Sequence, residues 1–102
     1  MTLLELSTGA LSAVSALVTA LEDAMRAAVA KRDESYEALS ALEDAMNTAD
    51  PTAITDVAYD TAHDDHRHWA SRTDQLEQVV EHAKRAMAAM SVVGASVSRM
   101  AL

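Results

Sequence analysis

Residues 59 to 69 read YDTAHDDHRHW, a run that holds three of the four histidines, three aspartates and the only tryptophan. Imidazoles beside carboxylates can ligate zinc or iron, and imidazole also exchanges protons near neutral pH. Spacing decides which of these side chains can act together. Asp60 and His63, and Asp65 and His68, are three apart, while Asp64 and His68 are four apart, so each pair can share one face of a helix. Asp60, His63, Asp64 and His68 therefore form the candidate metal set. Helical phase works against it, because His63 and His68 diverge to either side of His66. Di-iron bundles use Glu-x-x-His motifs, which this chain lacks; Glu81 and His82 are adjacent instead. A solvated acidic face with incidental histidines is the favoured reading, and no cofactor is expected.

Other chemistry has less support. The chain has no Cys, hence no disulfide framework, thiolate nucleophile or zinc-finger spacing. Glycine-rich phosphate loops, Gly-x-Ser-x-Gly elbows and His-Glu-x-x-His motifs do not occur. Long helices without a loop scaffold also offer little concave space for a substrate. The expectation is a protein that is not an enzyme.

The elements that must position these residues are helices. Half of the 102 residues are hydrophobic, yet there is no Phe and the aromatics are limited to Tyr36, Tyr59 and Trp69. The apolar residues are mainly Ala, Leu, Val and Met, a mix that suits closely packed helices better than sheets. Length and composition indicate one domain, residues 1–102. Strong breakers are confined to Gly9, Pro51 and Gly94. In NTADPTAITD, Asp50 suits an N-cap and Pro51 the first position of a new helix, so the chain should reverse near residues 47–51. An all-α antiparallel hairpin follows, with helix 1 about 3–47 and helix 2 about 51–100. A break at KRDES (31–35) is the rival, with Asp33 or Ser35 as cap; lacking Gly or Pro there, continuity is favoured.

Each arm carries a heptad seam. On the first, Leu4, Leu11, Val18, Met25, Arg32, Leu39 and Met46 recur every seven residues, with Ser7, Val14, Leu21, Ala28, Ser35, Leu42 and Ala49 three further on. The repeated LEDAM at 21–25 and 42–46 keeps this phase, and reads as register rather than duplication. On the second, Tyr59, Ala62, His66, Trp69, Thr73, Leu76, Val80, Ala83, Met87, Met90, Gly94 and Val97 alternate by threes and fours. In a hairpin turning near residue 49, facing positions have numbers that sum to roughly 100. That places the polar interruptions together: Arg32, Ser35 and Tyr36 should meet His66 and Trp69 in one polar layer. His66 there would fix register, as single buried polar residues do in coiled coils. The sharper alternative is a pH switch, because imidazole titrates near neutrality and a neighbouring Arg32 would oppose its protonation. Trp69 is expected to be packed rather than a ligand platform.

A second apolar stripe remains at the open end, where the two termini lie. Leu3, Leu6, Ala10, Ala13, Leu17, Ala20 and Ala24 form it on the first arm, and Val79, Ala86, Val93 and Met100 on the second. One intramolecular seam cannot cover both, so Leu3, Leu6, Leu17, Val79, Met87, Met90, Val93 and Met100 are the expected oligomer or partner interface. A homodimer forming a four-helix bundle is the simplest solution, or else another helical protein partner. Gly9 and Gly94 should come close together there.

Charge narrows the partners. The formal net charge is -8, and the ten acids between Asp33 and His66 are uninterrupted by Lys or Arg. Direct nucleic acid binding needs the opposite sign. The acidic tip suggests a further alternative, an inhibitor of a basic surface. Residues 6–21 and 86–98 are uncharged but short and diluted by Ser, Thr, Gly and Ala, so no membrane span is expected. No basic segment precedes an apolar core, which argues against a Sec signal peptide and favours a cytoplasmic location.

In its length of about 100 residues, acidity, Ala and Ser content and hairpin outline, the chain resembles the small type VII secretion substrates. Those proteins share a Trp-x-Gly turn and a Tyr-x-x-x-Asp/Glu signal after the second helix. Here the turn is NTADP, Trp69 is followed by Ala70 and Ser71, and the end reads VSRMAL. The resemblance implies the hairpin shape and a secretion-substrate alternative, and transfers no functional residue.

Overall fold

A computed structural model describes residues 2–48 and 56–100, and both arms are single helices: α1, Leu3–Thr48, and α2, Asp56–Met100. They pack against each other as an all-α hairpin, within which residues 1–24 pair with 76–102, and 25–75 form a second unit. α1 passes through KRDES without interruption. α1 ends at Thr48, one residue past the expected bound of about 47. Ala49, Asp50 and Pro51, the expected seam end, cap and first helical residue, lie outside the described residues.

The start of α1 is a capping box. Thr2 Oγ1 accepts the Glu5 backbone N–H at 3.1 Å, while the Glu5 carboxylate accepts the Thr2 N–H at 3.1 Å. Two otherwise unpaired donors of the first turn are thereby satisfied. Threonine followed three residues later by glutamate is a signal readable in the sequence that the heptad reading passed over. Arg99 lies in the last turn of α2, where its charge complements the helix dipole.

Burial follows the two seams. On α1, Ser7, Leu11, Val14, Val18, Leu21, Met25, Ala28, Arg32, Ser35, Leu39 and Leu42 are all buried or half-buried. On α2 every seam position from Tyr59 to Val97 is buried or half-buried. Two α1 seam residues depart from the pattern: Leu4 and Met46 are exposed. The enclosed apolar core is thin. Among the described residues it comprises Val18, Leu76 and Val80 in the open-end unit and Ala28 and Leu39 in the tip unit. A pair of helices encloses only the line along which they touch, so each buried residue has solvent a turn away on either side.

Cross-helix pairs establish the register. Ser35 meets His66, Tyr59 donates its hydroxyl to Glu43 Oε1 at 3.3 Å, and the Gly94 backbone lies against Ser7. In each pair the numbers add to just over 100, as the hairpin arithmetic requires. Glycine proximity takes a different form from the expectation. A Cβ on Gly94 would lie 3.1 Å from Ser7 Oγ, whereas one on Gly9 would meet nothing within 4 Å. Gly9 is on the outer side of α1, two residues past the seam position Ser7, so the close approach is between Gly94 and Ser7.

Candidate functional site

Two features stand out: a polar layer in the tip unit and an apolar face on the open-end unit. In the first, Ser35 is 6% exposed and its hydroxyl donates to the Arg32 carbonyl at 2.8 Å. The same oxygen is 3.4 Å from His66 Nδ1. The Tyr36 ring is tilted against the His66 imidazole, with centroids 5.6 Å apart, while the tyrosine remains largely exposed. Arg32 takes part through its backbone carbonyl; its guanidinium turns to Asp33, 3.4 Å away. The positive charge expected beside His66 is therefore directed to a carboxylate. Trp69 is half-buried on the seam and makes an edge contact with His68 at 5.0 Å.

Thr73 belongs with these residues, although its place in the seam drew no attention to it. It is 3% exposed and its hydroxyl donates to the Trp69 carbonyl at 2.8 Å. Threonine in a helix can satisfy itself on the preceding turn, so it enters a core without a partner from the other helix. No buried side-chain nitrogen or oxygen among the described residues lacks a hydrogen bond.

The candidate metal set is spread over the surface of α2. His63 Nδ1 receives a hydrogen bond from Arg67 Nη2 at 3.3 Å, and its ring faces Tyr59. His68 is turned to Trp69, and Asp60 and Asp64 are exposed. Among the described residues, no three His, Asp or Glu side chains gather where they could share an ion. Asp64 and His68 instead border a shallow, polar surface depression with Arg67 and Arg72.

At the open end, the second stripes of both helices are exposed along their length: all seven α1 positions from Leu3 to Ala24, and Val79, Ala86, Val93 and Met100 on α2. Leu3 is 70% and Met100 82% exposed, values unusual for large apolar side chains. Leu6, Leu17, Val79 and Val93 are also exposed, whereas Met87 and Met90 are half-buried in the seam. Two apolar grooves run between the helices on this unit. One, of about 250 Å³, is lined by Ser7, Ala10, Ala89, Met90 and Val93. The other, of about 280 Å³, lies among Thr2, Leu3, Leu4, Val97 and Met100. Residues of both stripes thus border the same grooves, forming one face with a furrow along it. Lys84 and Glu22 form an ion pair between the two helices of this unit at 3.5 Å.

By length and composition α1 also meets the requirement for a membrane-crossing helix, with mean hydropathy 1.5 over its most apolar 18-residue window. The short uncharged stretch singled out in the sequence is only part of that longer helix. No protein-family model matches the chain, and comparison with curated proteins and with solved structures likewise finds no match.

Proposed function

We propose that the protein is a non-enzymatic helical assembly module: its open end packs against a second copy to form a four-helix bundle, leaving an acidic tip for display. The carrying observation is the exposed apolar face, made of a second heptad stripe on each helix with a furrow between them. Residues spaced by threes and fours on a helix are the pattern another helix reads, because its ridges fit the intervening grooves.

The core supports a substantial partner, since no large side chain among the described residues is fully enclosed. A bilayer suits the face less well. The outer side of α1 over the same stretch carries Glu5, Thr8, Ser12, Ser15 and Thr19, all exposed, and hydrocarbon would leave those groups without water.

Mass measured against concentration, together with the melting temperature, tests the proposal. A dimer whose Tm rises with concentration is expected, and Leu6→Glu with Val93→Glu should shift it to monomer. A chain that is monomeric at all accessible concentrations rules out self-assembly. Flotation with neutral phosphatidylcholine vesicles instead of dimer formation would assign the face to membrane.

A further inference from the structure

We infer that the two copies pair with their acidic tips pointing in opposite directions, α1 lying antiparallel on α1 of its partner and α2 on α2, about a two-fold axis level with Ala13 and Ala89. This rests on the assembly reading above and adds the orientation that reading leaves open. Two face-to-face arrangements are available to a pair of hairpins. With the axis across the helices, like helices meet and the tips separate. With the axis along the helices, α1 faces the partner's second helix and the tips lie side by side.

Charge separates the two. The block from Asp33 to His66 holds ten carboxylates and no Lys or Arg. Side-by-side tips would put two such blocks at helix-packing distance, about 8–10 Å. That is about one Debye length at 0.1 M salt, so the repulsion would be only partly screened. Separated tips avoid it. The apolar stripe has the matching extent: it is uncharged on α1 from Leu3 to Ala24 and gives way to Lys31 and Glu34 beyond. Burial is therefore available along the open-end unit and is lost toward the tip, as an overlap restricted to open ends requires.

Side-chain size gives an independent argument. Reversed about Ala13 and taken in stripe order, to within one residue, α1 sets Leu3 opposite Ala24, Leu6 opposite Ala20 and Leu17 opposite Ala10. Every leucine meets an alanine, the alternation that lets facing layers interdigitate without voids. Reversed about Ala89, the α2 stripe sets Val93 opposite Ala86, while its outer pair is Val79 opposite Met100, so on α2 the alternation holds for the inner pair. The two centres belong to one level of this unit, because Ala13 and Ala89 stand within one residue of the numerical relation of Ser7 and Gly94, which approach closely. One axis can therefore pass through both. Ala13 and Ala89 are small and exposed, which permits close approach there.

The absence of Cys makes disulfide trapping clean. Ala13→Cys, Ala89→Cys, Leu6→Cys and Ala20→Cys are made singly, checked for helicity and for mass, and oxidised alone or as mixed pairs. With tips apart, Ala13→Cys should form covalent dimer by itself, at least about tenfold faster than Leu6→Cys alone, because a disulfide needs Cβ atoms about 4 Å apart. Leu6→Cys mixed with Ala20→Cys should form the cross-linked heterodimer. If the dimer is present by mass but Ala13→Cys cross-links only with Ala89→Cys, the tips lie together and the orientation is overturned while assembly stands. A dimer that gives neither pattern overturns the orientation as well. A monomer by mass removes the assembly reading and the orientation with it.

Discussion

Ser35 Oγ stands 3.4 Å from His66 Nδ1 across the hairpin while the same hydroxyl reaches the Arg32 carbonyl at 2.8 Å on its own helix. A hydroxyl has one proton, and with that proton engaged the oxygen can only accept. The expected tautomer of neutral His66 therefore carries its proton on Nδ1. In ¹⁵N spectra correlating the ring protons of the neutral protein, His66 should show a protonated Nδ1 and an unprotonated Nε2. The reverse pattern would mean that the serine donates to histidine and the Arg32 bond is absent.

The two buried hydroxyls should respond differently to removal. Ser35→Ala takes the acceptor from His66 and should cost about 1 kcal/mol, the usual net value of one hydrogen bond. Thr73→Val removes a bond made within one turn of α2 and keeps the shape, so its effect should stay within about 0.5 kcal/mol. Chemical denaturation of both variants at one fixed protein concentration makes the comparison. Equal losses would show that the cross-helix bond adds nothing to register or stability.

Glycine substitutions test the packing of the open-end unit. Gly9→Ala meets open space and should stabilise by about 0.5–1 kcal/mol through the helix propensity of alanine. Gly94→Ala places its Cβ 3.1 Å from Ser7 Oγ, so the serine must give way by a few tenths of an ångström and the gain should shrink or vanish. Adding Ser7→Ala to Gly94→Ala should restore it. Thermal melts in which Gly94→Ala gains as much as Gly9→Ala would contradict the close approach.

Core and face should separate by stage. Leu76→Ala removes an enclosed side chain and should cost about 2 kcal/mol, the lower end of the range for such truncations because this core is thin. Leu17→Ala, on the exposed stripe, should leave the melting temperature of dilute protein nearly unchanged and weaken self-association. Melts over a hundredfold concentration range distinguish them; a Leu17→Ala loss that is the same at every concentration would place that leucine in the intramolecular core.

Salt should raise stability. The charge of -8 is concentrated in one block, and screening relieves its self-repulsion. The Lys84–Glu22 pair is partly exposed and opposes this by less than about 1 kcal/mol. A melting temperature that increases from about 0.01 to 0.15 M salt is expected, and a decrease would mean that attractive pairs outweigh the acidic block.

Periodicity, with the turn signal in NTADPTAITD, determined the hairpin, the inward-facing positions of both helices apart from Leu4 and Met46, and the meeting of Ser35 with His66. Helical phase is a local property, fixed by a constant rotation per residue, and a hairpin converts it into pairing by subtraction. For the same reason the sequence could divide the histidines of YDTAHDDHRHW between the seam and the outer surface. Only the tertiary structure decided that Arg32 turns to Asp33, that Tyr36 leans on His66 while largely exposed, and that Gly94 approaches Ser7 instead of Gly9. Those outcomes depend on rotamers competing for several partners within reach, and on offsets of one or two residues. A repeat of threes and fours does not encode either. The exposed stripes at the open end were legible as pattern, and the packed hairpin added the furrow between them, because a groove exists only once two helices lie side by side.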